Sequence, residues 1–237
     1  MQKTYEIAAL TPWADNLWTI DGEPVPFFTV PYPTRMTLAR LQDGALMVIS
    51  PIRLADCDIH AIEALGPVRY LIAPNKIHHL FLTEWSERYP EAKLYAAPGL
   101  AKKRGDLDFA ATLGDAPEPE WASDLDQVLL AGSSALTEVV FFHRESRTLI
   151  VTDCIQRFPP KSLNLIHRLI MWADGMLGKH GGMPREWRAS FKNRRAARAA
   201  VERMIAWDPK GIIIAHGEPV REDGAAYLRE SFHWLLR

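Results

Sequence analysis

Val68-Arg69-Tyr70-Leu71-Ile72-Ala73-Pro74-Asn75-Lys76-Ile77-His78-His79 is the stretch on which the reading of this chain turns. Its first six residues make a short apolar run, which predicts a strand over 68–73. The run then ends abruptly in polar residues able to bind metal. In α/β proteins the chemistry gathers just beyond the C-terminal ends of strands, where side chains converge and backbone amides point outward. The same placement recurs twice. Thr148–Thr152 leads into Asp153-Cys154, and Gly211–Ala215 leads into His216-Gly217-Glu218.

His78 and His79 are neighbours, so on a regular strand they would face opposite sides. At the first turn of a helix they stand about 100° apart, and both can reach one point beyond the strand end. Imidazole and carboxylate together suit zinc, iron or manganese. Each residue alone also has an ordinary structural use. His78 can close a helix N-terminus, His79 can be a partly buried core residue, and Asp153 can cap backbone amides.

Outward from that stretch, the whole chain has 237 residues, 28 Lys+Arg against 29 Asp+Glu, and a formal charge of -1. Hydrophobic residues make up 48%, enough for one domain with a sizeable core, so 1–237 is expected to be a single domain. A balance so near zero argues against nucleic-acid and anionic-membrane partners; a small-molecule substrate is expected on other grounds, given below. Two cysteines, Cys57 and Cys154, cannot build a disulfide framework. With no long apolar span and no signal-like core in Met1–Leu17, the expected compartment is the cytoplasm.

Strands are predicted at Leu17–Ile20, Met36–Leu41 and Ala45–Ile49, the last two joined by Asp43-Gly44, a strong hairpin signal. Helical spacing marks Leu54–Leu65, stopped by Gly66-Pro67, and His78–Tyr89. Lys93–Ala97, Gln127–Ala131, Glu138–Phe142, Thr148–Thr152 and Gly211–Ala215 read as further strands. Ser162–Met176, Arg194–Ala206 and Ala225–Leu236 read as helices. Pro24–Pro33 and Asp115–Asp124 read as loops. Hairpins followed by βα units in each half suggest two packed sheets with helices outside.

Several of these segments together resemble the metallo-β-lactamase fold superfamily, and within it an uncharacterised bacterial family. Residues 36–51 are similar to its first hairpin. Leu71–His79 falls without gaps on the strand leading into its HxHxDH motif. Val139–Asp153 is similar to the segment ending in its metal-bridging aspartate, and Ile212–Gly217 to its last strand and terminal histidine. The resemblance spans about Leu17 to Pro219. It implies an α/β fold, a four-layer αβ/βα sandwich with two mixed sheets and helices on the outer faces. The implied activity is metal-dependent hydrolysis of an ester, amide, thioester or phosphodiester.

The departures from the motif are equally informative. Its two leading histidines are Pro74 and Lys76 here, its aspartate is His78, and its middle histidine falls near Ser133 or Ser134. The first metal's ligands are gone. The second metal's set survives as His78, His79, Asp153 and His216, which implies one divalent metal, zinc first, with iron or manganese as alternatives. A one-residue shift would leave His79, Asp153 and His216, and the first site is still emptied. Lys76 could then hold an anionic substrate group in place of the missing metal. His180, in a glycine-rich loop, is a second substrate-facing candidate, with Trp187 and Arg188 following it. No catalytic base is assigned. Glu218 reads first as an exposed loop residue, and Cys154 as a small buried hydrophobe. The same ligands would serve a mononuclear iron redox enzyme, or a non-catalytic binding protein with a structural site.

Overall fold

Strands buried on both faces must be apolar along their central positions, and the middle strands of this chain are. In Leu46–Ile49, Met47 and Ile49 face one apolar cluster while Leu46 and Val48 face another. Glu138–His143 behaves likewise, with Val139 and Phe141 turned one way and Val140 and Phe142 the other. Period-two alternation between two cores requires a layer on each side of each sheet. The computed structural model describes residues 9–27 and 30–237, apart from the side chains of Phe27, Asp56 and His180. Part of the Met1–Leu17 stretch and the centre of Pro24–Pro33 therefore lie outside the described residues.

The first sheet has seven strands in chain order: β1 (Thr11–Ala14), β2 (Leu17–Phe27), β3 (Val30–Arg40), β4 (Leu46–Ile49), β5 (Val68–Ala73), β6 (Lys93–Ala96) and β7 (Ala111–Thr112). It is antiparallel through β4 and parallel from β4 to β7. The second sheet comprises β8 (Leu125–Leu130), β9 (Glu138–His143), β10 (Thr148–Val151) and β11 (Gly211–Ile214), in the order β11-β10-β9-β8. Only its β10–β11 pair is parallel. Both sheets are thus mixed. Helices α1 (Ile59–Glu63), α2 (Leu82–Arg88) and α3 (Leu100–Lys103) cover the first sheet through Ile62, Leu82, Trp85 and Leu100. Of the later helices, α4 (Leu165–Ala173) and α5 (Arg185–Ser190) precede α6 (Arg194–Ala206), α7 (Gly224–Ser231) and α8 (His233–Leu236), and the last three cover the second sheet. Tyr70, Tyr95, Trp121 and Phe141 fill the space between the sheets. This is the expected αβ/βα sandwich. Among the described residues no helix is long and apolar enough to cross a membrane.

The Asp43-Gly44 hairpin forms as read, with Gly44 at φ +84 and Leu41 N–H bonded to Ala45 O at 2.9 Å. Other segments differ from expectation. Pro24–Pro33 is not a loop: its described residues extend β2 and β3 into a long two-stranded arm. β1 pairs only as far as Thr19 and β4 only from Thr37, so among the described residues no further strand pairs with the arm, and proline's missing donor costs nothing there. The 54–65 helix breaks into a 3₁₀ turn (Leu54–Asp56) and α1, because Asp58 restarts the helix by accepting from Ala61 N–H. The helix after His79 begins only at Leu82, and the C-terminal one breaks at Phe232.

Candidate metal centre

The site lies where β4, β5, β10 and β11 end together at one edge of the sandwich. Pro74 O accepts from Val139 N–H at 2.8 Å, tying the two sheets at that edge. Asn75 follows and makes four hydrogen bonds. Its Nδ2 donates to Asp153 Oδ2 (2.7 Å) and Thr152 Oγ1 (3.0 Å), and its Oδ1 accepts from the N–H groups of Ile77 (2.7 Å) and His78 (3.0 Å). One buried amide thus fixes both the turn carrying His78 and the carboxylate of Asp153. Behind Asp153, the fully buried Glu138 accepts from the N–H groups of Thr152, Asp153 and Cys154 at 2.8, 2.8 and 2.9 Å.

Three side chains converge. His78 Nε2 lies 3.1 Å from Asp153 Oδ2, His216 Nε2 lies 3.3 Å from Asp153 Oδ1, and the two Nε2 atoms are 3.1 Å apart. The far nitrogen of each ring is held elsewhere. His216 Nδ1 bonds Pro33 O at 2.7 Å, and His78 Nδ1 pairs with Ser50 Oγ at 2.6 Å. A carbonyl only accepts, so the His216 proton sits on Nδ1 and the Nε2 lone pair faces the cluster whenever that ring is neutral. Ser50 is a non-glycine residue at φ +58, strain of the kind that collects where a side chain must be aimed.

The electrostatics are those of a desolvated pair of carboxylates. Burial raises the pKa of Glu138, and the charge on Asp153 raises it further. Burial also pushes Asp153 up, but the charge of His78 and hydrogen bonds from His216 and His78 outweigh it and hold the carboxyl far below its usual range. His216 is pulled down by burial and lifted more by its Asp153 bond, so its pKa is raised. Two buried carboxylates need positive charge at the cluster.

Residues 14–174 match the family model described as Domain of unknown function (DUF4336). The chain belongs to that family. No curated protein matches its sequence. Its fold is shared with solved metallo-β-lactamases. One is from Pontibacter korlensis (11% identity, TM-score 0.65, 96% of this chain and 98% of that one). Another is from Hirschia baltica (15%, TM-score 0.65, 97% and 98%). A third is FIM-1 from Pseudomonas aeruginosa in its mono-zinc form (14%, TM-score 0.64, 100% and 96%). At such identity the likeness is one of fold.

Of the four ligands expected in this DUF4336 chain, the structure brings together His78, Asp153 and His216. His79 stands apart. Because α2 starts late, the two histidines sit in a tight turn rather than a helix and point different ways. His79 Nδ1 faces Arg104 Nη1 at 3.1 Å, and burial followed by Lys103 and Arg104 lowers its pKa to about 4. Lys76 is exposed, its chain end lies against Gly99, and it is not in the cavity wall. His180 ends a 3₁₀ turn, Gly178–His180, and its side chain lies outside the described residues. Ser133 is spent on a turn, accepting from the N–H groups of Ala135 and Leu136. Glu218 is exposed near Arg157, and Cys154 is buried in the core behind the second sheet.

A cavity of about 100 Å³ opens over the DUF4336 cluster, walled by Tyr32, Ser50, Phe81, Gln156, Glu186 and Trp187 among others. Gln156 Nε2 donates to Asp153 Oδ1 at 3.3 Å, and its buried Oε1 has no partner among the described residues. Trp187 was read from the sequence as pocket-adjacent. Asn75 stands in the polar run after β5, and nothing in the sequence points to Glu138, Gln156 or Glu186. Ser50 carries the same signal as Asn75, since it directly follows the predicted strand Ala45–Ile49.

Proposed function

We propose that this chain binds one divalent metal ion, zinc in first place, through His78, Asp153 and His216, and hydrolyses a small-molecule substrate in the cavity above it. The observation that carries this reading is that the two imidazole Nε2 atoms stand 3.1 Å apart, with Asp153 Oδ2 3.1 Å from that of His78 and Asp153 Oδ1 3.3 Å from that of His216. Donors about 2.0–2.1 Å from a tetrahedral zinc stand roughly 3.3 Å apart, so the residues fit the ion as they lie. Iron and manganese suit the same donors. Three protein ligands and an adjoining cavity favour a catalytic site over a structural one, which would use four. The mono-zinc form of FIM-1 supports the compatibility of this fold with a single ion.

When bound, the metal supplies Lewis acidity toward a carbonyl or phosphoryl oxygen and makes water easier to ionise. The protein's own groups do the rest. Pro33 O and Ser50 fix the two imidazoles, and Asn75 and Glu138 fix Asp153. Gln156 Nε2 donates to Asp153 Oδ1 from the cavity wall and steadies the carboxylate. Glu186, its pKa raised by burial and by Asp174, is the carboxyl in the cavity wall besides Asp153 and is placed to exchange a proton there.

Metal analysis of zinc-loaded, dialysed protein tests the reading. One zinc per chain is expected, with none retained in Asp153→Ala or His216→Ala. Two zinc ions per chain, or undiminished metal in both variants, would overturn it. Iron with oxygen-dependent turnover would replace hydrolysis by redox chemistry.

A further inference from the structure

Helix α4, Leu165-Ile166-His167-Arg168-Leu169-Ile170-Met171-Trp172-Ala173, turns its apolar side away from the protein. At 100° per residue, Leu165, Leu169 and Trp172 lie within an arc of about 60°, and Ile166 and Ile170 continue it on one flank. These five are 80%, 64%, 66%, 71% and 43% exposed in that order. Only Met171 on the opposite side is buried, packed with Val30, Phe158 and Met176. The face is a convex ridge and not a groove. Large apolar side chains exposed together on a water-soluble surface mark a contact surface.

Charge identifies the partner. Lys161, Arg168, Lys179 and Arg185 are all exposed on or beside this helix. Two acids stand nearby, the half-buried Asp174, whose Oδ1 accepts from Arg185 N–H, and the exposed Glu186 beside the cavity, so these four cations outnumber them. An apolar arc edged by tryptophan and fringed by cations matches the boundary between acyl chains and anionic headgroups. Two copies of this face would instead bring cation against cation. The whole-chain charge of -1, which argues against a membrane partner, averages away this local excess.

We infer that α4 and its flanking cations dock the protein on an anionic lipid surface, with Leu165, Leu169 and Trp172 entering the interface. Tyr32 packs on the α4 cluster and also lines the cavity, so docking would set the cavity mouth beside the lipid. The inference stands independently of the metal.

Vesicle co-sedimentation tests it, using phosphatidylcholine alone and phosphatidylcholine mixed with phosphatidylglycerol. The full chain should sediment with the mixed vesicles, far less with phosphatidylcholine, and be released by raised salt. Each lost cation should weaken binding about fivefold, so Lys161→Ala and Arg168→Ala are read singly and together. Leu165→Glu/Leu169→Glu should abolish binding while leaving the thermal melt intact, because both residues are exposed. No sedimentation with mixed vesicles, or binding untouched by the Leu165→Glu/Leu169→Glu pair, overturns the inference. So does a dimer in light scattering that this pair dissolves, since a second copy would then own the face.

Discussion

Replacing Asn75 with aspartate changes one amide nitrogen to oxygen and leaves the volume unchanged, yet it places a second carboxylate 2.7 Å from Asp153 Oδ2. At an effective dielectric of about 20, two unit charges at that separation repel by about 6 kcal/mol. The protein has a cheaper alternative, which is to keep a proton on the pair. Protonating an aspartate of ordinary pKa 3.9 costs about 4 kcal/mol at pH 7 and about 1.5 kcal/mol at pH 5. The smaller cost wins, so metal-free Asn75→Asp should be less stable than wild type by about 4 kcal/mol at pH 7 and by about 1.5 at pH 5. The sign follows from linkage. The folded variant holds a proton that its unfolded chain has released, so its deficit grows as pH rises. Urea unfolding of both proteins in chelator, at several pH values, reads the difference directly. A deficit that is flat with pH, or below about 1 kcal/mol at pH 7, would refute the shared-proton reasoning and the buried contact behind it.

Three other outcomes are expected. Ser50→Ala removes the partner of His78 Nδ1 and should weaken zinc binding about 10–100-fold by calorimetry without changing stoichiometry; unchanged affinity would show that Ser50 does not orient the ring. His79→Gln should retain full zinc, since His79 faces Arg104, and lose only about 1 kcal/mol in a urea melt; loss of the metal would return His79 to the ligand set. Burial holds the His143 pKa below its ordinary value, so the unfolded chain takes up the proton first and stability falls as pH drops through about 6.5. His143→Gln should flatten that part of the wild-type curve in melts between neutral and mildly acidic pH, and an unaltered slope would remove His143 as its source.

The local patterns in this sequence settled what local physics controls. Apolar runs such as Leu46–Ile49 and Thr148–Val151 must be strands covered on both faces, and Asp43-Gly44 must turn. Asp153 and His216 were legible as site residues because each directly follows such a run, and a strand's end fixes where its next residue goes. His78 against His79 was not legible. That choice hangs on where α2 begins and on Arg104, 25 residues away, drawing one imidazole outward. The proline-rich arm departs from a loop for a related reason. Proline is excluded from a strand only where a neighbour needs its donor, and that neither β1 nor β4 pairs with the described residues of 24–33 is a property of the assembled sheet. The supporting groups, Ser50, Pro33 O, Asn75 and Glu138, reach the site from four separate segments, so no spacing within one segment announces them. Sequence alone determined the layers and the edge at which the site would stand. Which side chains meet there was decided only by the tertiary structure, because a hydrogen bond is set by distance and direction between segments that periodicity leaves free.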